Sequence, residues 1–167
     1  MKALVLVLAL AGALTVQTTI SGLAMGGGRL MNLVVVAVVY AALMFGPVAG
    51  MLAGTAGGLV QDSLGGGIVG IGSLSKTVVG FLAGVLGAHF IVTQPFPRFV
   101  MFAGATAVHE VCFQGLHALI EARGFRIQAG PLLTEAVINA TIGLAAFFMV
   151  EGMPGLLQRR RARRGRY

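Results

Sequence analysis

Charged residues are scarce in this sequence. Only 10% of its 167 residues are Asp, Glu, Lys or Arg, against the roughly 25% found in soluble domains. That scarcity excludes a water-soluble globular domain. Tryptophan is absent. Cys112 is the single cysteine, so an internal disulfide and a metal site built on paired cysteines are both excluded. Within its apolar segment, Cys112 reads as a small buried residue. Acidic residues number five against twelve Lys and Arg, yet the excess is no nucleic-acid signal. Six of the basic residues lie within 159–167, and without them the formal charge falls from +7 to +1. Nucleic acid is therefore not an expected partner, because the basicity belongs to a tail rather than to a face.

Apolar residues are what the chain has in abundance: 57% of the total, with a mean hydropathy of +0.92. They fall into six runs, at about 3–20, 30–45, 47–64, 68–92, 99–120 and 132–150. A spanning helix needs about 20 mostly apolar residues. The expectation is an all-α membrane protein, a single domain of six transmembrane helices over 1–158. Lys2, the apolar run after it and Ala11-Gly12-Ala13 imitate a short secretory signal. The apolar pattern continues to Val16 and no polar domain follows, so this segment reads as the first helix. Gly46-Pro47 breaks the second run from the third, and proline there suits the start of a new helix. The other connections, at 21–28, 65–67, 93–98 and 121–131, are short.

Lysine and arginine set the expected orientation. With six spans, one side receives Lys2, Arg98 and the six tail arginines, and the other receives Arg29, Arg123 and Arg126. Both termini are then cytoplasmic. The 159–167 tail reads first as a topology-setting stop, and it is also expected to lie against anionic lipid headgroups, since clustered basic residues beside a span are drawn to them.

The twenty-six glycines sit inside the apolar runs, where small residues let helices approach closely. Gly46, Gly50, Gly54 and Gly58 recur every fourth residue in the third span, with Asp62 next on the same face. Gly72, Lys76, Gly80, Gly84 and Ala88 form a matching stripe in the fourth. Stripe against stripe is the simplest packing of this hairpin. A charge at the depth of Lys76 calls for a partner, and an ion pair with Asp62 is the leading expectation. Separate snorkelling to the headgroups is the competing one.

Thr106, Glu110, Gln114, His117 and Glu121 share one helical face in the fifth span, with His109 beside it. Glu135 and Asn139 lie one turn apart in the sixth. These residues suit a ligand cavity, a proton path or interhelical hydrogen bonding, and the last, or a surface for a partner, is favoured. Enzyme signatures are missing. His109 and His117 lack the His-Glu-x-x-His spacing for zinc, and there is no nucleophile elbow and no phosphate loop. A non-enzymatic protein without catalytic, cofactor or metal residues is expected.

The centre of the chain reads Phe45-Gly46-Pro47-Val48-Ala49-Gly50, then Gly54, Gly58-Leu59, Asp62, Gly66-Gly67, Gly70 and Ser75-Lys76-Thr77-Val78-Val79-Gly80-Phe81-Leu82-Ala83-Gly84. This stretch, a quarter of the chain, resembles the MreD family of bacterial rod-shape-determining proteins. The resemblance implies an inner-membrane scaffold of the peptidoglycan elongation complex. Its partner would be an MreC-like single-span protein, with a penicillin-binding protein and a RodA-like glycosyltransferase nearby. It also implies a fold similar to the substrate-binding membrane subunit of energy-coupling-factor transporters. A vitamin- or metal-binding subunit of such a transporter is thus the alternative reading. Lys76 and the Glu110–Glu121 stripe depart from that family's mostly neutral pattern, so no family role is carried to them. The partner would meet either a free glycine face or the polar face of the fifth span.

Overall fold

In the computed structural model the described residues form six helices: α1 (Lys2–Leu23), α2 (Leu33–Phe45), α3 (Pro47–Gly65), α4 (Ile71–His89), α5 (Pro95–Ile120) and α6 (Ala129–Arg164). The structure describes residues 2–23, 31–66, 68–90, 94–122, 124–125 and 127–164, with side chains described between 6 and 20 and between 31 and 150. Arg29, Arg123, Arg126, Arg166 and the side chains of Lys2 and the other tail arginines lie outside this description. The charge count behind the expected orientation rests largely on them.

Among the described residues, three helical stretches are long and apolar enough to cross a membrane: Ile71–His89, Pro95–Ile120 and Ala129–Val150. Leu6–Ile20 and Leu33–Phe45 are apolar but shorter. In α3 the glycines dilute the hydropathy while serving another purpose, described below.

Several ends differ from the sequence-based bounds for physical reasons. Helix α2 starts at Leu33 rather than residue 30, because the Asn32 side chain accepts the Val35 amide and caps the first turn. Helix α5 starts at Pro95 rather than residue 99. Prolines lack only an amide that a first turn does not use, so Pro95 and Pro97 open the helix instead of preceding it. Arg98 is consequently no loop charge. It is buried in the first turn of α5, with its guanidinium 4.4 Å from the centroid of the Phe147 ring. Helix α6 does not end at 150; its backbone stays helical to Arg164.

Consecutive helices run antiparallel. Val16 and Leu33 line one groove with Ala9 and Tyr40. Gly57 abuts Val34 and Gly50 abuts Ala42; Gly50 faces Gly80 and Gly58 faces Ser73. Ser75 meets His109, and Phe102 lies on Gly143. The alternation brings the start of α1 and the outer part of α6 to one end of the bundle.

Helix α2 is the centre. It is apolar on every face, as buried helices are, and Val34, Val35, Val36, Val38, Val39, Ala41 and Ala42 are all buried. All five other helices touch it. One side carries Val35, Val39, Phe102, Ala140 and Phe147; the other carries Val34, Val38, Leu10 and Ala53.

Beside α2, helices α3 and α4 meet backbone to backbone. A methyl group built on Gly54 would collide with the Lys76 carbonyl, one on Gly58 with the Ser73 Cα, and one on Gly84 with the Pro47 Cα. Thr55 and Thr77 close the same seam with a 2.8 Å hydroxyl–hydroxyl bond. Gly46 makes the hairpin between α2 and α3 with one residue, at φ +94°, where a side chain would be strained.

Gly54→Ala is therefore expected to lower the thermal midpoint of the purified protein, at a cost of about 1–3 kcal/mol or more from overpacking. Gly12, whose added methyl meets nothing within 4 Å, is the control: Gly12→Ala should be neutral or stabilising by up to about 1 kcal/mol. Equal responses at the two sites would refute the backbone contact.

Candidate functional site

A helix buried on all sides presents its unpaired first-turn amides to the protein interior, where water is absent. In α2 side chains from four other helices are organised around this end. Asn32 Oδ1 accepts the Val35 amide at 3.3 Å, and Gln17 Oε1 from α1 accepts the Val34 amide at 3.3 Å. Asn139 Oδ1 from α6 accepts the Asn32 amide at 2.9 Å. The Asn32 side chain then continues outward: its Nδ2 donates to His109 Nε2 at 3.2 Å.

The direction of each remaining bond follows from that one. An amide nitrogen can only donate, so Nε2 is the accepting nitrogen and the imidazole proton sits on Nδ1. Nδ1 donates to Ser75 Oγ at 3.1 Å, and Ser75 Oγ donates to the Gly72 carbonyl at 3.0 Å. A second branch runs from Asn139 Nδ2 to Thr106 Oγ1 at 3.2 Å and from Thr106 Oγ1 to the Phe102 carbonyl at 2.9 Å. Gln17, Asn32, Ser75, Thr106, His109 and Asn139 are all buried. His109 is a neutral imidazole in a chain whose donors and acceptors match at every step.

Two charges are buried within about one helical turn of this network. Lys76, 2% exposed, follows Ser75 in α4, and its Nζ donates to the Gly72 carbonyl at 3.3 Å. Glu135, 6% exposed, precedes Asn139 by one turn of α6. Their opposite signs allow each to offset the other's cost of burial. Such compensation is required where an isolated ion costs several kcal/mol.

The expected Asp62–Lys76 ion pair is not formed. Asp62 Oδ2 accepts the Gly70 amide at 2.9 Å and the Ser73 amide at 3.1 Å, at the N-terminus of α4. Contact between Gly58 and Ser73 brings the last turn of α3 over that helix end, where a carboxylate finds amides and the positive end of the dipole. Lys76 turns into the bundle instead.

The polar stripe of α5 is divided. Thr106 enters the network, but Glu110 and Gln114 are half-buried and bonded to each other along the helix at 2.8 Å. His117 donates from Nδ1 to the Phe113 carbonyl at 3.1 Å, and its ring meets the Phe113 ring at 4.4 Å between centroids, tilted by 50°. Glu121 is exposed at the C-cap. The buried line of α5 follows Phe102, Thr106 and His109, so the polar interior runs through His109 rather than through Glu110, Gln114 and His117. Sequence reasoning passed over Asn32, Ser75 and Gln17. Asn32 did carry a signal, as an amide directly before a wholly apolar run, which is an N-cap position. Among the described residues, no group of three His, Cys, Asp or Glu side chains could hold a metal ion.

The chain matches the family model 5TM-5TMR_LYT, described as the 5TMR of 5TMR-LYT, over residues 1–150. It therefore belongs to this family of five-transmembrane-helix membrane proteins. No curated protein matches it, and no solved structure does.

Two measurements check the site. His109→Leu leaves Asn32 Nδ2 and Ser75 Oγ without their buried partner, at about 1–3 kcal/mol for each unsatisfied group; the thermal midpoint should fall clearly below that of Phe113→Leu at the ring next to it. Lys76→Met and Glu135→Gln should each destabilise, while the double variant recovers much of the loss. Strictly additive losses would show that the two charges do not compensate one another.

Proposed function

We propose that this member of the five-transmembrane family is a non-enzymatic scaffold of the bacterial cell-shape machinery. In this reading it crosses the inner membrane six times with both termini in the cytoplasm. It holds an MreC-like single-span protein within the peptidoglycan elongation complex, as the resemblance of its central hairpin to MreD-family proteins implies.

The observation that carries this reading is the closure of the polar interior. Asn32, His109, Ser75, Thr106 and Asn139 satisfy one another and the backbone, so their hydrogen-bonding capacity goes into holding α2, α4, α5 and α6 in register. A carrier needs polar groups presented to its cargo. Here they are presented to the fold, and a rigid body of this kind suits a protein that positions others. The glycine-packed contact of α3 and α4 adds to the same rigidity.

Alternation of all six helices supports six crossings. Helix α2 has 13 residues, about 20 Å of helix, short of the roughly 30 Å hydrocarbon core. Its neighbours shield it from lipid on most sides, so its length need not match the bilayer. The basic outer part of α6 supports the cytoplasmic placement of the end that α1 and α6 share.

Co-expression with the MreC-like protein of the same genome tests the reading. The two should elute together in mild detergent as a complex of fixed stoichiometry, and the extracted chain should retain no small molecule. A vitamin bound in stoichiometric amount by mass spectrometry, with no single-span partner retained, would overturn the scaffold reading in favour of a transporter subunit.

A further inference from the structure

A polar side chain at membrane depth that is not enclosed by its own bundle meets hydrocarbon, which can satisfy none of its hydrogen-bonding groups. Three such side chains share one face of α5: Glu110, Gln114 and His117, at steps of four and three residues. All three are half-buried, whereas His109, about 100° from Glu110 around the helix, is enclosed. Val111, next to Glu110, is exposed.

Depth makes this exposure costly. At about 1.5 Å per residue, Glu110 lies about 22 Å from the start of α5 and about 15 Å from its end. A hydrocarbon core about 30 Å thick contains that position even if the helix slides by several ångströms. The glutamate side chain is too short to reach a headgroup from there.

The hydrogen bonds of these residues are all local. Gln114 Nε2 donates to Glu110 Oε1 at 2.8 Å, and His117 Nδ1 donates to the Phe113 carbonyl at 3.1 Å. Among the described residues, neither bond leaves α5. The directions of the two bonds fix what is left over. Glu110 Oε2, Gln114 Oε1 and His117 Nε2 remain, and all three are acceptors. One amide hydrogen of Gln114 is the only donor left among them. The carboxylate adds a negative charge, and residues 99–121 contain no lysine or arginine to answer it.

We propose that this face of α5 receives one transmembrane helix of a partner protein, and that this helix presents hydrogen-bond donors, with a lysine or arginine opposite Glu110. The assignment rests on the scaffold reading and gives the partner a place. Of the two surfaces that the sequence offered, the glycine stripes are consumed, since Gly54 meets the Lys76 backbone and Gly84 meets Pro47. The polar face of α5 is the one that stays open. A second copy of the chain would set acceptors against acceptors and carboxylate against carboxylate, an unfavourable pairing. Lipid tails carry no donors at all. A helix with donors completes the groups that α5 leaves unspent.

The test uses the full-length chain co-expressed with the MreC-like single-span protein. A photoreactive p-benzoylphenylalanine at position 111 should cross-link to the transmembrane segment of that protein. The same group at position 81, exposed on α4, should not. Glu110→Leu breaks no bond to another helix, so the thermal midpoint of the chain purified alone should hold or rise. The same variant should cut the co-purified partner by roughly tenfold, equivalent to about 1.4 kcal/mol. Gln114→Leu should act in the same direction. A lowered midpoint with full partner recovery would make the stripe internal glue and overturn the proposal. Cross-links from position 111 only to lipid or to a second copy of the chain would overturn it too, while leaving the scaffold reading intact. Failure of the unaltered chain to bind the partner at all would remove both.

Discussion

The structure depends on burying α2 without leaving its first turn unsatisfied. An apolar helix enclosed by five others gains packing on nearly every face, but its leading amides cannot reach water. Each unpaired group would cost about 1–3 kcal/mol or more in this setting. Gln17, Asn32 and Asn139 accept three of these backbone amides, and each comes from a different helix or helix end. Their own remaining groups then need partners, which His109, Ser75 and Thr106 supply. The polar network is thus a consequence of the central helix. It spreads through the bundle until each branch ends on a backbone carbonyl, at Gly72 and Phe102.

The glycine contact between α3 and α4 belongs to the same economy of space. Side chains between those helices would hold them apart, and α2 could not then lie against both. With Gly50 on Gly80 and Gly54 on Lys76, the pair is thin enough to act as one wall. Asp62 fixes the longitudinal position of that wall by holding the first amides of α4, and the Thr55–Thr77 bond fixes it again farther along. Position along the helices is fixed by polar contacts, distance between them by glycine.

Much of this was legible in the sequence, and the divide has a physical cause. The six helices, the one-residue turn at Gly46-Pro47 and the facing of the two glycine stripes follow from local rules: run length, proline geometry and a four-residue repeat. Lys76 and Asp62 were misjudged because both lie on one face in each helix pattern, whereas the partner of a buried charge is chosen in three dimensions. Asp62 found backbone amides, which a side-chain pattern does not display. The α5 stripe failed for a related reason. A polar face identifies a direction on a helix, and about 100° per residue separates the direction of Glu110 from that of His109. Only packing decides which of the two turns inward. Arg98 was invisible as a buried residue because two prolines in three residues, Pro95 and Pro97, look like a loop until they are recognised as a first turn.

The bundle is not equally held on the two sides of the seam between α1 and α6. On one side α6 is fixed by Asn139 in the network, by Phe102 seated on Gly143, and by Phe147 between Tyr40 and the Arg98 guanidinium. On the other, α1 touches only α2 and α3 among the described residues, through Leu6, Leu10 and Leu14 and one interhelical bond from Gln17. Apolar contacts carry no strong register in lipid, where the surrounding chains are as apolar as the partner helix. Of the two helices beside the seam, α1 is therefore the one held mainly by apolar contacts, and α6 the one whose position is fixed by polar and aromatic ones.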